Sequence, residues 1–182
     1  MTDTDWLLPG AIKEEQSVTP NWEKLDQRLI EGVIVKEVRH VPTSYGHLTE
    51  LFRTEWQLRA NITQAFQGRF QPGALSAWHA HAMTQDAIFV NLGMLKIVLY
   101  DSRKSSKTYG TLNEFRLGDN RPGLVIIPPF VWHGVHNVSS SEASLINFVD
   151  HAYSYEDPDH WRLPADSPDI PYSFKTGLVV RR

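Results

Sequence analysis

Cysteine is absent from the 182-residue chain. That excludes disulfides, thiolate metal sites, iron–sulfur clusters and cysteine nucleophiles. A basic excess is also absent: 18 Lys and Arg face 21 Asp and Glu, a net charge of -3. A protein held to nucleic-acid phosphates needs the opposite balance, so no nucleic-acid partner is expected. No apolar run approaches the roughly 18 residues of a membrane-spanning helix, so no membrane partner is expected either. The first residues, MTDTDWLLPGAIKEEQ, lack a basic stretch followed by an apolar one. A secretory signal is therefore not expected, and a cytoplasmic location is. Helix signals are scarce as well. The one strong signal is Asn21 to Gly32, with Asn21 as cap and Gly32 as stop. Hydrophobic residues at 41% and charged residues at 21% suit one ordinary folded domain.

What the chain has instead is short runs of period-two patterning, from Val33–His40 through Ala143–Asp150. Turn signals separate them, such as Pro72-Gly73, Gly118-Asp119-Asn120 and Pro128-Pro129. Many short strands with such punctuation predict an all-β sandwich or barrel. In Leu95–Asp101, Leu95, Ile97 and Leu99 fall on one face, and Lys96, Val98 and Tyr100 on the other. In Ala143–Asp150, Asn147 shares a face with Ala143, Leu145 and Val149. It reads either as a hydrogen-bonded core residue or as a cavity-lining one. The expected organisation is an N-terminal arm with a short helix over 1–32, a barrel over 33–152 and a wrapping tail over 153–182. A short helix near Asp157–Trp161 is expected in that tail.

The chemistry concentrates in two segments. His79 and His81 are two apart in a strand and so point to one face, with Asp86 close behind. His133 follows a proline turn. Imidazoles with a carboxylate suit a divalent ion such as iron, manganese, zinc or nickel. Gly73, His79, His81, Asp86 and Gly93 match the first motif of the cupin superfamily, with Asp in place of Glu. Pro128, His133 and Asn137 match the second, with Phe130 in place of its glycine. The resemblance implies a double-stranded β-helix, the cupin or jelly-roll barrel.

From about Gly46 to Phe174 the chain resembles a narrower branch, the dTDP-4-dehydrorhamnose 3,5-epimerase family. Gly46 and Glu50 match an early strand, and Ile127-Pro128 with His133-Gly134 match a later one. Asp101, Arg103, Ser106, Thr108 and Gly110 match a stretch that generic cupins lack. The resemblance implies an isomerase that removes protons beside the C4 ketone of a nucleotide-linked sugar. It requires no cofactor. It casts His79 as base, Asp166 as its carboxylate partner and Tyr153 as a residue near the nucleotide. Arg69 is a candidate diphosphate contact through its bidentate geometry, as is Arg103, which reads more readily as structural. The family's phosphate-contacting arginine falls at Ser76, its enolate lysine at Asp86 and its acid tyrosine at Asn147. A divalent ion on His79, His81, Asp86 and His133 could replace the lysine as Lewis acid, but His79 would then be a ligand rather than a base. Two other readings stand beside the epimerase: a metal-dependent small-molecule cupin (isomerase or dioxygenase), and a non-catalytic sugar-binding cupin. The family pairs as homodimers, and Leu8, Trp22 and Trp56 offer apolar area for that. His40, His47, His151 and His160 show no constellation, and His136 points away from His133.

Overall fold

The computed structural model describes residues 6–13, 15–18, 20, 28–56 and 61–175. Most of the expected helix from Asn21, together with Trp22, lies outside the described residues. Two five-stranded antiparallel sheets stack face to face. The first contains, in spatial order, β1 (Ile34–Glu37), β9 (Gly123–Ile127), β6 (Asp86–Leu92), β11 (Ala143–Val149) and β4 (Gln64–Phe70). The second contains β12 (Trp161–Arg162), β5 (Leu75–Ala80), β10 (Trp132–Asn137), β7 (Met94–Tyr100) and β8 (Leu112–Gly118). A hairpin of β2 (Val41–Thr43) and β3 (Gly46–Leu48) stands apart. The expected barrel is thus a jelly-roll sandwich of two separate ladders.

Alternation sorts the side chains into layers. Leu95, Ile97, Leu99, Phe115, Leu117, Val125 and Ile127 meet between the sheets and are buried. Their neighbours in sequence point outwards and are covered too. On the first sheet, Phe89, Leu124 and Ile126 lie under Leu51, Phe52 and Trp56. Trp56 therefore packs on its own sheet and is not spare apolar surface. On the second sheet, Trp78 and Val98 lie under Ile170, Tyr172 and Phe174 of the tail. Continuous apolar strands such as β9 follow from this double coverage.

Two expectations change here. The early strand matched by Gly46 and Glu50 ends at Leu48, and a single 3-10 turn at Thr54–Trp56 carries the chain on. The tail forms no helix near Asp157–Trp161 among the described residues. It adds β12 to the edge of β5 instead, with Trp161 opposite Ala80 and Arg162 opposite His79. At Gly134, a Cβ would come within 2.6 Å of the Ala77 side chain and 2.8 Å of Phe174. The glycine after His133 is what lets the tail close over the second sheet.

Candidate active site

One end of the inter-sheet space is packed solid, and the other holds a cavity of about 330 Å³. The second sheet supplies His79 from β5 and His133 from β10, directly opposite each other in register. His81 follows the end of β5, and the first sheet supplies Asp86 and Asn147 from β6 and β11. A bulge between β5 and β10 lets both Ser76 and His79 face the cavity while Trp78 faces out. Asn147 lines the cavity and is also bonded at both ends of its amide. Its Nδ2 donates to Asp86 Oδ1 at 2.7 Å, and its Oδ1 accepts the Ala87 N–H at 3.1 Å. An amide so committed fixes Asp86 and is no proton donor.

Backbone carbonyls set the tautomers of two histidines. His81 Nδ1 donates to the Asp159 carbonyl, and His133 Nδ1 to the Val131 carbonyl at 3.1 Å. Their Nε2 atoms therefore turn to Asp86, each 3.3 Å from Oδ2. The donor atoms of His81, Asp86 and His133 all lie within 4.8 Å of one another. His79 is not part of this group. Its ring stands edge-on to His133 with centroids 4.4 Å apart, and its Nδ1 is buried without a hydrogen-bond partner. Burial, reinforced by the neighbouring histidines and Arg162, pushes its pKa far below the ordinary histidine value. Burial likewise lowers His133, partly opposed by Asp86.

Sequence reasoning missed His160. Its ring centroid lies 5.4 Å from His79 and 5.0 Å from His81, and its Nε2 is also buried without a partner. It arrives on the tail through Asp159, whose carboxylate accepts the N–H groups of Ala82, Met83 and Thr84. Burial alone would raise the Asp159 carboxyl, but these bonds outweigh it and hold it near about 2. Arg162, from the same segment, lines the cavity as well, as does His151 beside Asp150. No local pattern marks His160 and Arg162, because the pairing of β12 with β5 brings their segment in; His151 follows the end of β11.

Two expected site residues are elsewhere. Asp166 is exposed and lines a separate outer groove with Leu75 and Phe174. Its segment packs over Trp78, on the side of β5 opposite His79, so it does not orient that ring. Arg69 alternates away from Phe66, Gly68 and Phe70, pointing outwards to an ion pair with Glu142. Tyr153 does stand at the cavity, half exposed, its ring edge-on to Tyr155. Arg103 is structural: with Ser106 and Thr108 it binds the carboxylate of Asp101, at 2.6 to 3.0 Å.

Comparison with known proteins places the chain in a family. The chain is 33% identical to the probable low-salt glycan biosynthesis epimerase Agl13 of Haloferax volcanii over 139 residues, 75% of this chain and 89% of that one. It is 32% identical to the spore coat polysaccharide biosynthesis protein SpsL of Bacillus subtilis over 148 residues, 81% of this chain and 98% of that one. Among solved structures, a dTDP sugar isomerase from Desulfovibrio desulfuricans superposes with a TM-score of 0.76 at 27% identity, covering 83% of this chain and 96% of that one. Residues 27–179 match the family profile itself. The chain belongs to the dTDP-4-dehydrorhamnose 3,5-epimerase family.

Proposed function

We propose that the protein is a nucleotide-sugar epimerase that removes a proton beside the ketone of a dTDP-4-keto-6-deoxyhexose-type substrate, with His79 as the base. The observation that carries this is His79 itself. It is buried, held neutral and short of a hydrogen-bond partner on Nδ1, in the wall of a sugar-sized cavity. A base must keep a lone pair at working pH, and burial keeps this ring neutral; the same burial weakens it as a base, so the reading rests on its place in the cavity wall and its free nitrogen. The cavity's apolar wall, with Ile88, Val135, Leu145 and Val149, suits the carbon face of a deoxysugar. Arg162 offers the bidentate cation for a diphosphate that Arg69 does not. Tyr153 and Asn147 line the same space, one at its mouth and one holding Asp86. The family match supports this reading over a generic metal-dependent cupin or a non-catalytic sugar binder.

The proposed enzyme is a cytoplasmic homodimer. Exposed apolar side chains at Leu8, Ile12, Val41, Tyr45 and Leu48 suit a subunit contact. Light scattering at micromolar concentration checks the pairing. Catalysis is tested by NMR of dTDP-4-keto-6-deoxyglucose in heavy water. Wild type is expected to exchange the hydrogens at C3 or C5. A protein that exchanges neither, with this or related nucleotide-linked ketosugars, is not such an epimerase.

A further inference from the structure

Inverting a carbon beside a ketone takes two proton transfers on opposite faces. A base removes a proton from one face, and an acid returns one to the other. His79 supplies only the first. The family's acid tyrosine falls at Asn147, a neutral amide bonded to Asp86 and Ala87. Five histidines line the cavity. His79 and His133 lie on β5 and β10, His81 follows β5, and His160 precedes β12 at the edge of β5. These four belong to the second sheet and approach a bound sugar from the wall that carries the base.

The fifth, His151, comes from the other wall. It follows the end of β11 in the first sheet by two residues and shares the parity of Asn147 and Val149, which also line the cavity. Its Nδ1 lies 2.9 Å from Asp150 Oδ1. That carboxylate is 8% exposed, and the same oxygen accepts the Gln85 N–H at 2.7 Å. An anchored carboxylate at Nδ1 fixes the tautomer and leaves Nε2 as the nitrogen that gives and takes protons. We propose that His151, positioned by Asp150, is the acid that delivers a proton to the face opposite His79. This rests on the epimerase reading of the cavity. His79 takes the proton from carbon, the C–H electron pair forms the enolate double bond, and the carbonyl pair moves to oxygen. Protonated His151 then gives its Nε2 proton to the same carbon from the opposite face, and the enolate closes back to the ketone. His79 passes its proton to water and His151, half exposed at the cavity mouth, regains one from water. No electrons are gained or lost overall.

The test follows dTDP-4-keto-6-deoxyglucose in heavy water by NMR and reads two quantities on each sample: deuterium gained at C3 or C5, and epimer formed. Wild type is expected to show both, and His79→Ala neither. His151→Gln is expected to form epimer at least about 100-fold more slowly. Deuterium still enters with retained configuration, because His79 returns a solvent-exchanged proton to its own face, and that uptake shows the variant is folded. Asp150→Asn keeps an oxygen for Nδ1 and should lower the ratio of epimer to deuterium by less. Epimer formation at the wild-type rate in His151→Gln overturns the proposal. So does deuterium uptake lost in His151→Gln as completely as in His79→Ala, or an epimer-to-deuterium ratio that falls in Tyr153→Phe and not in His151→Gln. Wild type that takes up no deuterium removes the epimerase reading and this acid with it, whereas the other failures remove the acid alone.

Discussion

Two buried carboxylates in this molecule live in opposite surroundings. Asp101 is fully buried and receives donors from every side: Arg103 Nε at 2.8 Å, Ser106 Oγ at 2.6 Å and Thr108 Oγ1 at 2.7 Å. Burial alone would raise its pKa, but these donors outweigh burial and hold it well below the usual carboxylate range. Asp86 receives one side-chain donor, Asn147, and lies 3.3 Å from His81 Nε2 and His133 Nε2, rings whose other nitrogens already donate to backbone carbonyls. A buried charge ringed by donors locks a loop; one that shares its surroundings with titratable rings is held less firmly. The family stretch that is most recognisable in the sequence is the locked one, and it lies outside the chemistry.

The largest effect is expected at the chemical end of this contrast. His79→Ala should slow solvent exchange at C3 or C5 by about 100- to 10,000-fold, the usual cost of losing a general base. The pH profile sharpens the assignment. Because the folded pKa of His79 is depressed, its lone pair persists as pH falls through about 6.5. The kcat/KM of wild type should therefore show no acid limb at the ordinary histidine value. Asp166→Asn, on the outer groove, should leave exchange unchanged. A large loss there returns Asp166 to the mechanism.

The next effect tests the locked carboxylate. Asp101→Asn removes a charge that Arg103 needs and should destabilise the fold by about 3 kcal/mol, read as a lower urea midpoint. The pH dependence has a definite sign. The folded pKa lies below the unfolded value of about 3.9. Asp101 therefore contributes its full stability above that value, and the contribution is lost as pH falls from there towards the folded value. Asp101→Asn should unfold with a shallower acid slope. An unchanged slope and midpoint break the comparison.

The strands were legible because alternation survives in them. Leu95, Ile97 and Leu99 face the core as the pattern requires, and Asn147 shares the inward face with Leu145. His79, His81, Asp86 and His133 were legible because the cupin spacing places them on inward positions of strands that pair. Phe130 shows how a motif outlasts its residue. It keeps the left-handed backbone of the glycine it replaces, at a φ of 66°, and its N–H still reaches the His81 carbonyl at 2.7 Å. The illegible part was the tail. A two-residue strand carries no period, so nothing local separated His160 and Arg162, which enter the cavity, from Asp166, which does not. Arg69 shows the opposite case: its strand alternates, and parity alone sends its side chain to the outer face, whatever its charge and bidentate geometry suit it for.

A smaller effect is expected from Arg69. Its partner Glu142 lies across the strand pair on the outer face, and the arginine side chain is 63% exposed. Such pairs contribute less than about 1 kcal/mol. Arg69→Ala should leave dTDP affinity and exchange at wild-type levels, whereas Arg162→Ala should weaken binding of the diphosphate. Isothermal titration with dTDP distinguishes them, and a matched loss in Arg69→Ala puts that residue back in the site.

The smallest expected effect is the most informative about Asp86. Asp86→Asn replaces an acceptor with an amide that keeps Oδ1 for Asn147 and turns Nδ2 to the nitrogens of His81 and His133. It removes a buried charge and converts at least one acceptor–acceptor contact into a hydrogen bond. The stability of the protein should therefore change by less than about 1 kcal/mol, towards greater stability. The same chemical change at Asp101 should be strongly destabilising, so the two variants form a matched pair. Thermal unfolding of both reads the difference. If Asp86→Asn destabilises as much as Asp101→Asn, then Asp86 is satisfied in the folded protein, by a proton or by neighbours, and the contrast between the two carboxylates fails.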